Sequence, residues 1–164
     1  MKCIIADAGP IIALCKVRQL DLLNLLFKSC FITDDVYTEV IKGNDQAVDC
    51  LKDAVNAQVL IKITVNQIEL ILEQTLDKGE ASAITLAKQK EHCALLIDEI
   101  KGREMAKQLN IPVIGTAGLL LLAKRKGFID EVLPILQKIK NNGYWLSTDF
   151  LNKIAKLANE KKDK

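Results

Sequence analysis

Histidine is almost missing from this chain of 164 residues, where His92 stands alone. The five cysteines, Cys3, Cys15, Cys30, Cys50 and Cys93, are odd in number, scattered, and never spaced C-x-x-C. Zinc sites draw on closely spaced thiolates and imidazoles, so this pattern argues against one. Most of the cysteines are expected to act as small buried hydrophobes, which suits a reducing cytoplasm. Aromatic side chains make up only 4% of the chain, too few for base stacking to be a widespread recognition device. Nor is there a membrane segment: residues 119–123 form only a short apolar run, against the roughly 20 residues that span a bilayer. Asp7 interrupts the apolar start that could pass for a signal peptide. A formal net charge of +2 neither demands nor forbids a polyanionic partner.

What is present is a core-forming composition, 49% hydrophobic and 27% charged, in a length that suits one domain over residues 1–160 with a polar, Lys-rich tail at 161–164. Short apolar runs at residues 2–6, 30–32, 59–63, 93–97 and 111–114 read as strands. The run at 93–97 is continuous, as in a strand covered on both faces. Between them lie helical patterns. Pro10 suits the first turn of a helix; Thr33 or Asp34 caps one bearing Val36, Val40 and Ile41. Further helices are expected over 20–27, 45–56, 64–76, from Glu80, around Arg103 to Leu109, and over 119–126, with two more completing the chain. This alternation predicts a three-layer α/β/α sandwich with a mostly parallel central sheet.

Ligands of such sheets bind beyond the carboxyl ends of the strands. Asp7 follows the first strand, and Asp98 and Glu99 end the fourth; Glu39 and Glu80 lie on helices beside apolar residues. Each has an ordinary explanation. Asp7 could cap the next helix, Asp77 and Glu80 could form a capping arrangement, and Glu39 could be a surface residue. Two adjacent acids ending an apolar strand are harder to dismiss, because they must be solvated, paired or metal-bound. Carboxylates gathered closely repel one another unless they share protons or bind cations. Oxygen ligands without histidine or thiolate favour Mg²⁺ or Mn²⁺, and such ions align and activate phosphodiesters for hydrolysis.

Five segments in order, IIADAGPIIAL (residues 4–14), VYTEV (36–40), KGEASAITLA (78–87), LLIDEIKGR (95–103) and IPVIGTAGLLLLAKRKG (111–127), resemble the PIN domain, more narrowly its prokaryotic branch related to VapC toxins. The resemblance implies a Rossmann-like sandwich and a Mg²⁺- or Mn²⁺-dependent nuclease, usually an endoribonuclease leaving a 5′-phosphate and a 3′-hydroxyl. It implies that Asp7, Glu39, Glu80 and Asp98 bind metal, with Asp7 and Asp98 as the main ligands. Glu99 stands where relatives often carry a second aspartate, to support a second ion or orient water. Thr116 falls where PIN proteins often place a hydroxyl. A small antitoxin partner, a homodimer and a cytoplasmic location are what the branch implies.

Lys101 and Arg103 follow the acidic pair and are candidate substrate contacts, although Arg103 could instead fix the loop by an ion pair. Lys124, Arg125 and Lys126 could hold a nucleic-acid backbone or simply end a helix before Gly127. Tyr144 and Trp145 are expected to anchor the last helix to the body. Rival readings fit less well. A HAD-type phosphatase expects an aspartate where Gly9 stands, and a receiver domain gives Glu39 and Glu80 no role. A PIN-like module that binds without catalysis is the remaining alternative.

Overall fold

The computed structural model describes residues 2–43 and 46–160. The start of the helix expected from Asp45, and the Lys-rich tail, lie outside them. Among the described residues the elements run β1 (Cys3–Ala6), α1 (Ala8–Lys16), α2 (Leu22–Leu26), β2 (Ser29–Thr33), α3 (Asp34–Ile41), α4 (Gln46–Asn56), β3 (Ile61–Ile63), α5 (Leu70–Thr75), α6 (Lys78–Gln89), β4 (Cys93–Leu96), α7 (Ile100–Gln108), β5 (Val113–Ile114), α8 (Thr116–Arg125), α9 (Leu133–Asn141) and α10 (Thr148–Ala158). The five strands are all parallel, in the order β3-β2-β1-β4-β5, flanked by the ten helices as an α/β/α sandwich.

That order has one physical consequence. The chain steps outward from β1 through β2 to β3, then returns to lay β4 on the other side of β1. The connections leave β1 and β4 in opposite directions, which opens a crevice at their carboxyl ends. Ala6 pairs with Leu96, and the Asp7 N–H donates to the Leu96 carbonyl at 3.0 Å, so Asp7 and Asp98 emerge side by side. Both central strands are buried on their two faces, which explains why they read as unbroken apolar runs.

Two cores hold the layers. The larger joins the central strands to α1, α3, α4, α6 and α7 through residues such as Ile5, Leu14, Leu51, Ile84 and Leu95. The smaller gathers Leu120, Val132, Leu136, Ile139, Leu151 and Ile154 from α8, α9 and α10 around Ala13 of α1. The Glu160 side chain, at the end of the domain beside the Lys-rich tail, is only 6% exposed. Its carboxylate accepts from Lys124 Nζ at 2.7 Å and from the N–H groups of Val132 and Leu133 at 2.7 and 2.8 Å. It therefore closes α10 onto α8 and the start of α9, and it engages Lys124.

Two further expectations change. Residues 64–69 are not helical; only Leu70–Thr75 is. Thr64, Val65 and Asn66 are poor helix formers, and the Thr64 hydroxyl donates to Asp34 at 2.5 Å, keeping the chain extended beyond β3. Cys15 and Cys30 are buried thiols as expected, but Cys3 and Cys93, paired in register at the starts of β1 and β4, form a disulfide. The periodicity of the strands could not show that register. Among the described residues, no helix is long and apolar enough to cross a membrane.

Candidate active site

A cleft of about 1160 Å³ opens at the carboxyl ends of β1 and β4, lined by Asp7, Glu39, Asp77, Glu80, Asp98 and Glu99. The five acids picked out from sequence thus share one cavity, and Asp77 joins them. Asp77 had an evident structural task, which the structure confirms: its Oδ1 accepts from the Glu80 N–H at 2.8 Å and caps α6. Its charge nonetheless acts on Asp7, Glu39 and Glu80.

Asp7 occupies the N-cap position of α1 but makes no side-chain cap bond. It is 6% exposed, and its Oδ1 is buried with no hydrogen-bond partner among the described residues. Burial pushes its pKa up to about 7. The Ala8 N–H opposes that shift, and the charges of Glu39, Glu80 and Asp77 add to it. Glu80, on the first turn of α6 and equally buried, is likewise pushed up to about 7 by burial and by Asp77, with smaller contributions from Glu99 and Glu39. Gly102 on α7 lies so near the site that a Cβ there would strike Ile97 and come within 3.5 Å of Glu80 Oε1. Glu39 reaches from α3 so that its Oε2 lies against Gly79; its pKa is raised, chiefly by burial and then by Asp77.

Asp98 is held differently. Its Oδ1 accepts from the Thr116 N–H at 2.8 Å, and its Oδ2 accepts from the Thr116 hydroxyl at 2.5 Å and the Tyr144 hydroxyl at 2.7 Å. Thr116, at the first turn of α8, therefore spends its hydroxyl on the carboxylate. Arg103 donates to the Ile97 carbonyl at 2.9 Å, so it fastens the strand end that presents Asp98. A Cβ at Gly115 would lie 2.8 Å from both Arg103 Nη1 and Asp98 Oδ1. Glu99 and Lys101 are exposed at the rim, and no side-chain bond ties Glu99 to the helix it starts.

Tyr144 is the residue that sequence reasoning missed. It was expected to anchor the last helix, and it does join the C-terminal helices to the body, but through Asp98 at the centre of the cleft. Its hydroxyl is pushed well above the usual range by burial and by Asp98. The only available signal was an aromatic pair placed after Gly143, a glycine at φ +91°. Trp145 lines the same cleft but is 85% exposed, so it anchors nothing.

Asp7 tests whether a cation fits. A buried carboxylate oxygen with no donor, in a cleft that five other acids also line, is a polar atom in want of a partner. All-oxygen donors suit a hard divalent ion. Among the described residues, however, no three acidic, His or Cys side chains stand close enough together to hold an ion without some adjustment.

A parallel α/β/α sandwich with a carboxylate-lined cleft at its switch point is a nuclease-type fold. The sequence model of the PIN domain matches residues 3–160, and the chain belongs to that family, whose members are generally nucleases and typically use divalent metals. No curated protein matches the chain.

Proposed function

We propose that this protein is a Mg²⁺- or Mn²⁺-dependent nuclease, acting as an endoribonuclease. The observation that carries the reading is the convergence of six carboxylates on one cleft, with Asp7 Oδ1 buried and without a partner. Asp7, Glu80, Asp98 and Glu39 would hold the ion, which when bound supplies charge stabilisation for a phosphodiester under attack by water. Asp98, fixed by Thr116 and Tyr144, presents its carboxylate in one orientation. Asp7 and Glu80, both with pKa raised to about 7, are about half protonated near neutrality, and a bound cation would displace those protons. Glu99 at the rim orients the attacking water, and Lys101 and Arg103 offset phosphate charge on the substrate. The substrate is nucleic acid, RNA in the reading favoured by resemblance to the VapC branch. On that same resemblance, a small antitoxin is the partner, a homodimer the assembly and the cytoplasm the location, where a reducing milieu would open the Cys3–Cys93 bridge to thiols.

A second reading, a module that binds nucleic acid without cleaving it, draws on two facts: both Asp98 oxygens already accept hydrogen bonds, and among the described residues the acids do not close around an ion as they stand. One experiment separates the two. Calorimetric titration with Mn²⁺ should give a saturable site that Asp7→Asn removes. The metal-loaded protein should cleave single-stranded RNA, with cleavage lost on chelation and in Asp98→Asn. A folded protein with no saturable site and no turnover leaves only the binding module. Co-expression with a neighbouring small reading frame tests the antitoxin proposal, and sedimentation tests the dimer.

A further inference from the structure

We infer that Trp145 is a stacking platform for a base of single-stranded nucleic acid, seated next to the scissile phosphate; the inference rests on the nuclease reading above. Trp145 is the only tryptophan of the chain, and it stands 85% exposed in the wall of the same cleft that the acids line. Its place is fixed by its neighbour. Tyr144 donates to Asp98 Oδ2 at 2.7 Å, so the backbone that carries the indole is tied to a candidate metal ligand one residue away. A large apolar ring held open to water at that point has little packing to do among the described residues.

The rest of the cleft says what would cover it. Its volume of about 1160 Å³ exceeds the roughly 300–1,000 Å³ typical of small-molecule sites and suits a polymer. Lys101 and Lys153 line it together with the indole and the acids. A strand whose phosphate meets the acids through a cation, whose flanking phosphates meet the two lysines, and whose base lies on Trp145 uses the charged groups and the indole of a wall that also carries the apolar Ile100, Phe150 and Leu157. Base–aromatic stacking is available only to unpaired bases, and it is indifferent to sequence because every base has a π-face. The same chemistry serves RNA and DNA single strands.

Because the chain has one tryptophan, its intrinsic emission reports this residue alone. The test titrates the protein in Mg²⁺ with a short single-stranded oligonucleotide carrying cleavage-resistant phosphorothioate linkages, in ribose and deoxyribose versions, and with the matching duplex. The expected result is quenching by single strands and not by duplex. In anisotropy with labelled oligonucleotide, Trp145→Ala should bind about 5- to 100-fold more weakly, the loss of one stack, while Trp145→Phe recovers most of the affinity. With cleavable substrate, KM should rise by a similar factor and kcat stay close to wild type. Binding with unmoved emission and equal affinity in Trp145→Ala would overturn the platform while leaving the nuclease reading standing. A response to duplex as strong as to single strands, or a Trp145 signal produced only by a protein partner, would overturn it as well. Quenching and stacking loss without cleavage by the metal-loaded protein would uphold the platform and end the nuclease reading.

Discussion

The electrostatic cost of the cleft can be measured through Asp7. Its pKa rises from 3.8 to about 7 on folding, mainly because burial disfavours the charge. A carboxylate with a raised pKa binds more protons folded than unfolded. Its contribution is therefore fully present below pH 3.8 and lost as pH rises towards 7. A shift of about three units at 1.36 kcal/mol each is about 4 kcal/mol, a large share of the roughly 5–15 kcal/mol that holds a domain together. Asp7→Asn cannot ionise. It does place an amide where Oδ1 has no partner, and an unsatisfied buried group costs about 1–3 kcal/mol. That penalty is independent of pH, so the slope isolates the charge. In urea unfolding followed by far-ultraviolet circular dichroism, stability of wild type relative to Asp7→Asn should fall by about 3–4 kcal/mol between pH 4 and pH 8. Mn²⁺ at about 100 times its Kd should restore about 2.7 kcal/mol to wild type at pH 8 and nothing to the variant. Parallel stability curves for the two proteins across that range would refute the claim that Asp7 ionises at a cost.

Asp98→Asn should keep the fold, since the Thr116 and Tyr144 hydroxyls can rotate to accept from an amide, while nuclease turnover drops by at least about 100-fold; unchanged turnover removes Asp98 from the reaction. Gly115→Ala should cut turnover with little change in Tm, because the added methyl displaces Asp98 and Arg103 and leaves the core alone; activity equal to wild type would show that their arrangement is immaterial. Glu160→Gln should cost about 1–3 kcal/mol, lowering Tm by several degrees, as a buried carboxylate loses its charge-assisted bonds to Lys124, Val132 and Leu133. Burial alone would raise the Glu160 pKa, but those donors hold it below the usual value, so this contribution is present above the ordinary glutamate range and disappears as pH falls beneath it; a gap between the proteins that persists at pH 2 would contradict the assignment. Reducing the Cys3–Cys93 bridge should lower stability by about 2–4 kcal/mol, given the long loop it closes, and equal unfolding midpoints with and without reductant would show that the bridge does not contribute.

Strand positions were legible because a central parallel strand has no solvent face. Ile4, Ile5 and Ala6, and Cys93 to Leu96, had to be apolar at every position, and no helix of that length reads the same way. Edges were less legible. At β3, with Ile61 and Lys62 exposed, the pattern carries no such constraint, and the following residues were read as helix although Thr64 bonds across to Asp34. Register was not legible at all. Nothing in the spacing of Cys3 and Cys93 indicates that β1 and β4 are neighbours, because the chain places two strands and six helices between them before it returns.

For the site, the sequence distinguished the acids that end strands, where a charge after an apolar run needs explaining, better than the groups that orient them. Asp77 was masked by its capping role, since one carboxylate can cap a helix and also charge the cleft. Tyr144 was masked by distance. Its hydroxyl meets Asp98 across 46 residues, and the elements between them, α7, β5, α8 and α9, set that contact by packing, which no local pattern encodes. The same packing separates two adjacent aromatics into different roles. Tyr144 points inward because Asp98 accepts its proton donor at little cost in solvation. Trp145, with only an indole N–H to offer, is left facing the cleft. Removing the Tyr144 hydroxyl should therefore loosen both. In Tyr144→Phe, Asp98 loses one of its three hydrogen bonds, and the segment bearing Trp145 loses its tie to the sheet. Turnover should fall, and the emission of Trp145 should become more responsive to a soluble quencher such as acrylamide. A fall in turnover with quenching identical to wild type would mean that Tyr144 orients Asp98 without positioning Trp145.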